Sequence, residues 1–229
     1  MPCLLCGKSD IHQLSLRELL FGREIEETVC CATCFMNFER LHYSANRHCY
    51  YCLKESSSEV CQDCLYWQKE GMSLSRHHVL YLYNEAMKEY MSNYKFQGNQ
   101  SLATIFSNPI KESISQLSYD VVVPMPLSRK RLSDRGFNQI EALLNQARIT
   151  FHPFLKKSNH NKKQSSKTRI ERLKTTHQFV VMPENQTLIK EKVILLVDDV
   201  YTTGSTMQHA KKTLLEQEAK EVITFTLAR

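Results

Sequence analysis

Hydrophobic and polar positions along this chain change period several times, and each change marks an element. Residues 193–197, Val-Ile-Leu-Leu-Val, are apolar without a break. Such a run suits a strand covered on both faces in a parallel sheet better than a half-solvated one. Asp198 and Asp199 close the run, and Thr-Thr-Gly-Ser-Thr follows at 202–206. Apolar positions then recur at helical spacing, with Met207, Ala210 and Leu214 on one side. Residues 221–227, Glu-Val-Ile-Thr-Phe-Thr-Leu, return to a strand pattern. This strand–loop–helix–strand unit predicts an α/β fold with a mainly parallel sheet flanked by helices.

Weaker signals lie upstream. Residues 78–83 read as a short strand. Residues 84–96 read as a helix with Met87, Tyr90, Met91 and Tyr94 on one face. Those side chains could stack on nucleotide bases, but the spacing favours packing of the helix on a sheet. Residues 121–124, Val-Val-Val-Pro, predict a buried strand, and 125–136 a basic loop. Residues 137–147 predict a helix with Phe137, Ile140, Leu143, Leu144 and Ala147 toward the core. Residues 177–181 predict a further strand, and Pro183 and Asn185 interrupt the chain after it.

The cysteines change the picture of the first third. All nine lie between Cys3 and Cys64, and eight of them form Cys-x-x-Cys pairs: Cys3/Cys6, Cys31/Cys34, Cys49/Cys52 and Cys61/Cys64. Cys30 is left over. Two such turns complete a tetrahedral four-thiolate zinc site, so the four turns suffice for two structural zinc ions. Sequence-order pairing gives one site from Cys3, Cys6, Cys31 and Cys34 and another from Cys49, Cys52, Cys61 and Cys64. A cross-braced pairing stays open, as does the choice between Cys30 and Cys31; the two-residue spacing favours Cys31. Structural zinc contributes about 10–16 kcal/mol per site, enough to fold a segment too small to build its own core. The expected division is a zinc-binding module at 1–66, a linker at 67–77 and an α/β domain at 78–229.

Composition is that of a globular chain, with 42% hydrophobic and 24% charged residues. No apolar run approaches a membrane span. The start, Met-Pro-Cys-Leu-Leu-Cys, has no secretory signal pattern, and clustered thiols suit a reducing compartment, so the expected location is the cytoplasm. The formal net charge is +6; two zinc ions on eight thiolates would bring it to about +2. Local charge is more informative. Between Lys156 and Lys174 eight cations (Lys156, Lys157, Lys162, Lys163, Lys167, Arg169, Arg172 and Lys174) face one anion, Glu171, in an aperiodic stretch that predicts a mobile basic loop.

The turn at 202–206 has a chemistry of its own. A turn at a helix start offers free N–H groups and the positive end of the helix dipole, which suit a phosphate. Thr202, Thr203, Ser205 and Thr206 add hydroxyls, and Gly204 permits close backbone approach. The adjacent carboxylates of Asp198 and Asp199 repel phosphate but accept hydrogen bonds from sugar hydroxyls, or hold Mg2+. Together the groups fit a phosphorylated sugar with a free diol.

Residues 194–206 resemble the phosphoribosyl pyrophosphate (PRPP) motif of type I phosphoribosyltransferases. That resemblance implies that Asp198 and Asp199 hold the ribose diol and that Thr202, Thr203, Gly204, Ser205 and Thr206 hold the 5-phosphate. It also implies that Ser128, Arg129 and Lys130 belong to a pyrophosphate loop. The cysteine head, the 121–139 stretch with Arg135-Gly-Phe-Asn-Gln139, Tyr94-Lys-Phe-Gln-Gly98, Gln164-Ser-Ser-Lys-Thr-Arg169 and the PRPP motif together resemble the ComF family. Membership implies a role in natural transformation: handling incoming single-stranded DNA at the inner membrane face, beside the ATPase ComFA. The chain departs from the family where an Asn is replaced by Lys174 or Thr175, and where the glycine ending the last helix is replaced by Glu218.

Two functions follow as expectations. One is a module that handles DNA and carries a PRPP-type site. The other is an active phosphoribosyltransferase that transfers ribose 5-phosphate to a nitrogen nucleophile. The residues supply donor-side groups only and identify no acceptor.

Overall fold

The computed structural model describes residues 2–9, 29–96, 98–158 and 179–229. Its centre is a four-stranded parallel sheet of β1 (His77–Tyr81), β2 (Val121–Pro124), β5 (Val193–Val200) and β6 (Glu221–Ala228), in the order β1-β6-β5-β2. The expected α/β class, a mainly parallel sheet flanked by helices, is the class observed. A separate antiparallel pair joins β3 (Leu155–Lys157) to β4 (Phe179–Val181).

β5 is buried on both faces, and its alternation divides the core in two. Leu195 and Val197 pack with Tyr81, Met87, Tyr90 and Tyr94. Ile194 and Leu196 pack with Met207, Ala210 and Leu214. The first layer comes from α3 (Glu85–Phe96), α4 (Ser107–Ser115) and α6 (Gln139–Gln146); the second is led by α8 (Ser205–Glu216). Met87, Tyr90, Met91 and Tyr94 are all enclosed, so packing is their use. β5 runs on through Val200, which places both acids inside the strand: Asp198 is in register with Thr226 of β6.

Two expectations need correction. The basic loop at 125–136 contains a helix, α5 (Arg129–Arg135). Its only apolar residue, Leu132, is exposed, so periodicity had nothing to report. Its ends define it instead: the Ser128 hydroxyl accepts from the Arg131 N–H at 3.3 Å, and Gly136 stops it at φ 76°. Lys156 and Lys157 stand in β3, paired with Val180 and Phe179, and not in a loop. That pairing spans residues far apart in sequence, which local composition does not register. The helical stretch from Gln100 to Ser115, which begins as a 3-10 helix, was not anticipated; it buries Leu102, Phe106, Ile110 and Ile114.

The cysteine segment folds over the β1 edge. The Leu41 N–H donates to the Leu80 carbonyl and the Leu82 N–H to the Glu39 carbonyl, each at 2.9 Å, so a strand edge open to aggregation is covered. After α1 (Ala32–Phe35), Phe38 inserts beside Phe106 with ring centroids 4.9 Å apart. Such a buried aromatic contributes about 1.5–3 kcal/mol of burial. Cys49, Cys52, Cys61 and Cys64 join the opposite core layer. α2 (Gln62–Lys69) carries the segment past residue 66 toward β1. Two short helical pieces, Pro183–Asn185 and α7 (Gln186–Ile189), lead into β5. No helix among the described residues is long and apolar enough to cross a membrane.

Candidate functional site

The acid pair sits at the carboxyl end of β5, where open α/β sheets place their ligands. Successive strand residues face opposite sides, so the two carboxylates have different surroundings. Asp199 is buried among α3 and α6 groups. Its Oδ2 accepts from Lys95 Nζ at 2.7 Å and from Gln139 Nε2 at 2.8 Å. Gln139 is itself fixed: Arg135 Nη1 donates to its Oε1 at 2.8 Å, and the Tyr94 hydroxyl donates to its carbonyl at 2.6 Å. Asp198 is half-buried, and its Oδ1 accepts from the Asp199 N–H at 2.9 Å. Burial, and then the neighbouring Asp199 charge, push its carboxyl up to about 7, against the pull of Lys95 and Lys157. Lys95, Gln139, Arg135 and Tyr94 were not foreseen as site residues. The signal was present, because all four fall in the 94–98 and 135–139 stretches that mark the family resemblance.

The turn is held from behind. Tyr201 is enclosed, and its N–H donates to the Ala228 carbonyl at 2.9 Å. Gly204 has φ 80°, and a Cβ there would collide with the Tyr201 hydroxyl and ring, so both conformation and space require glycine. Arg229 Nη1 donates to the Thr202 carbonyl at 3.3 Å, and Trp67 Nε1 to the Thr203 carbonyl at 2.9 Å. α8 starts at Ser205 without a side-chain cap. Its first amide groups therefore remain available, at the positive end of a 12-residue helix. Thr202 is exposed, and Thr203, Ser205 and Thr206 are partly so. The geometry can take an anion at the turn and hydroxyl donors or a cation at the acids.

The remaining sequence candidates are distributed unevenly. The Ser128 hydroxyl is engaged as the α5 cap, whereas Arg129 and Lys130 are exposed. Lys156 is exposed. Lys157 lies with Nζ 5.7 Å from the Phe179 ring centre. Its ammonium is pulled down by burial and then by Arg131, and raised by Asp198, so this lysine sits between α5 and the acid pair. Lys162, Lys163, Lys167, Arg169 and Arg172 lie outside the described residues.

The cysteines form two tetrads in sequence order, Cys3/Cys6/Cys31/Cys34 and Cys49/Cys52/Cys61/Cys64, with all sulfurs of each within 4.8 Å of one another. Tetrahedral Zn–S bonds of about 2.3 Å set sulfurs about 3.8 Å apart; Cys6 and Cys31 sulfurs are 3.9 Å apart, and those of Cys52 and Cys61 3.5 Å. The two sites share a local plan. The Cys31 N–H donates to Cys3 Sγ and the Cys61 N–H to Cys49 Sγ, both at 3.3 Å. Gly7 and Leu53, each following the second cysteine of its turn, have φ 70° and 57°. In the second tetrad, a hydrogen bond from Cys64 takes Cys52 down to about 5, while burial takes Cys61 up to about 11. Four thiols this close cannot all ionise unaided, and a soft divalent cation removes that conflict. Cys30 is outside both tetrads; burial, then the Cys3 charge, push its thiol up to about 12.

The phosphoribosyl transferase domain family matches residues 132–229. The whole chain is similar to competence protein ComFC of Streptococcus pneumoniae (strain ATCC BAA-255 / R6), with 39% identity over 229 residues and 100% of both chains covered. It is 31% identical over 236 residues to competence protein ComFC of Bacillus subtilis (strain 168), covering 99% of this chain and 94% of that one. Among solved structures, the glutamine PRPP amidotransferase from B. subtilis aligns with a TM-score of 0.36 and 16% identity, over 56% of this chain and 26% of its own. A hypoxanthine phosphoribosyltransferase from Staphylococcus aureus aligns at 0.33 and 10%, over 58% and 63%.

Proposed function

Because this chain belongs to the ComF family of competence proteins, with a phosphoribosyltransferase-like domain, we propose that it handles incoming single-stranded DNA during natural transformation and carries a PRPP-binding site. The observation that carries the reading is the union, in one strand–turn–helix unit, of Asp198 and Asp199 with the uncapped start of α8. The turn takes the 5-phosphate, the acids take the ribose diol, and Mg2+ accompanies the pyrophosphate toward Arg129 and Lys130. DNA is held electrostatically by Lys156, Lys157 and the cations that follow them. Zinc in both tetrads folds the cysteine segment as a structural module, which α2 extends beyond the expected boundary at 66 to Lys69, ahead of a shorter linker and the domain that opens with β1 at His77. The protein works in the cytoplasm, at the inner membrane face, with a ComFA-type ATPase.

A second reading is turnover of PRPP, for which Asp198, Asp199 and the turn supply the donor side while the acceptor is left to be identified.

Calorimetric titration with PRPP and Mg2+, and separately with single-stranded DNA, tests the proposal. Asp198→Ala and Asp199→Ala should abolish PRPP binding and barely alter DNA affinity, because removing anions removes no phosphate contact. Charge reversal at Lys162 and Lys163 should do the opposite. Neutralising about four phosphates gives a single-strand salt slope near −3. Normal transformation by both aspartate variants would exclude a required PRPP step, and pyrophosphate release with any acceptor would establish turnover.

A further inference from the structure

We propose that Trp67 is a positioning residue for the turn Thr202–Thr206, and that through it the cysteine module acts as a buttress for the anion site. The inference rests on the anion-binding reading of that turn and adds what holds it open.

The chain of contacts is short. Cys61 is the N-cap residue of α2 and Cys64 lies in its first turn, so the second tetrad anchors the start of this helix. Trp67 follows Cys64 at i+3 and shares its face. Its ring is 1% exposed, and its Nε1–H reaches the Thr203 carbonyl at 2.9 Å. The next carbonyl back, that of Thr202, is taken by Arg229. In a planar trans peptide the C=O and N–H point in opposite directions. Two consecutive carbonyls drawn toward the scaffold therefore turn the following N–H groups, those of Thr203 and Gly204, toward the open side. Arg229 also lies 4.8 Å over the Tyr201 ring, the surface against which Gly204 closes, and the Trp67 ring meets His209 of α8 edge-on at 5.6 Å. The turn is thus gripped through its carbonyls by two side chains, one of them supplied by the cysteine module.

The test compares Trp67→Phe, which keeps a ring and loses the donor, with Leu65→Ala on the same helix as control. Amide hydrogen exchange across 202–206 should accelerate about two- to tenfold in Trp67→Phe, the range of one hydrogen bond, and stay unchanged in the control. The dissociation constant for PRPP with Mg2+ should rise by a similar factor while metal content holds. Unchanged exchange at the turn, or acceleration spread evenly over the whole domain, overturns the inference. If the wild-type chain does not bind PRPP, the phosphoribosyl reading fails, and the exchange result alone decides the role of Trp67. Should Trp67→Phe not fold, the wild-type chain serves. Trp67 is its sole tryptophan, so its indole N–H is identifiable by NMR. Core-like protection of that proton supports the contact, and exchange at the solvent rate overturns it.

Discussion

Lys95 Nζ lies 2.7 Å from Asp199 Oδ2, which places a cation from α3 directly on one member of the acid pair. The contact lowers the charge the site presents and lets two carboxylates stand side by side at the end of an apolar strand. Removing one partner of an enclosed ion pair leaves the other charge stranded, at a cost of about 3–5 kcal/mol when fully buried. Lys95 is 18% exposed, so Lys95→Met should lose about 2–4 kcal/mol in urea denaturation. The double variant with Asp199→Asn should recover part of that loss. Strict additivity of the two changes would show that the pair is not coupled.

Asp198 makes stability depend on pH. Its carboxyl titrates near 7 in the folded chain against 3.8 in the unfolded one. At very low pH both states carry the proton, and the residue contributes no difference. As pH rises from 3.8 toward 7 the unfolded chain ionises first, so folding loses stability; above 7 the loss is complete and constant. Asp198→Asn should therefore raise the melting temperature, and more at pH 8 than at pH 6. Equal gains at both pH values would rule out the shifted carboxyl. For PRPP with Mg2+ the sign reverses: wild-type affinity should fall as pH drops below about 7, because the protonated carboxyl no longer holds a cation or accepts two hydroxyl donors.

Legibility in the sequence followed the range of the interaction concerned. β5, α8 and β6 were visible because each buries an apolar pattern at its own period, and the cysteine pairs because ligand spacing is local. α5 was not, since its caps and not an apolar face define it. The environment of Asp199 was not, although every group in it was marked. Tyr94, Lys95, Arg135 and Gln139 come from two segments that meet only when α3 and α6 pack on the same sheet face. Nor could Trp67 be tied to Thr203, 136 positions away, by any local pattern.

The tetrad geometry separates Cys30 from Cys31 sharply. Metal analysis of the purified chain should give two zinc ions. Cys30→Ser should leave the count at two with little change in stability, because its sulfur lies outside both tetrads and donates to the Cys31 carbonyl at 3.6 Å, a bond a serine hydroxyl can also make. Cys31→Ser should reduce the count toward one and destabilise the module. A reversed pattern would move the ligand to Cys30.

Glu218 ends α8 in a conformation that suits glycine. The Ala219 N–H bonds to the Leu214 carbonyl and the Glu218 N–H to that of Leu215, the paired closure of a Schellman motif. The residue at its left-handed position, Glu218, has φ 63°. A side chain there costs about 1–2 kcal/mol, and glycine returns some of that through the greater freedom of its unfolded chain, so Glu218→Gly should stabilise by about 0.5–1 kcal/mol. The carboxylate also meets Lys190 at 2.9 Å, but both groups are largely exposed, and exposed pairs contribute little. Chemical denaturation of Glu218→Gly beside Glu218→Gln separates the two effects. Gain in the glycine variant alone identifies backbone strain. Loss in both would show that the ion pair with Lys190 outweighs whatever strain the glycine relieves.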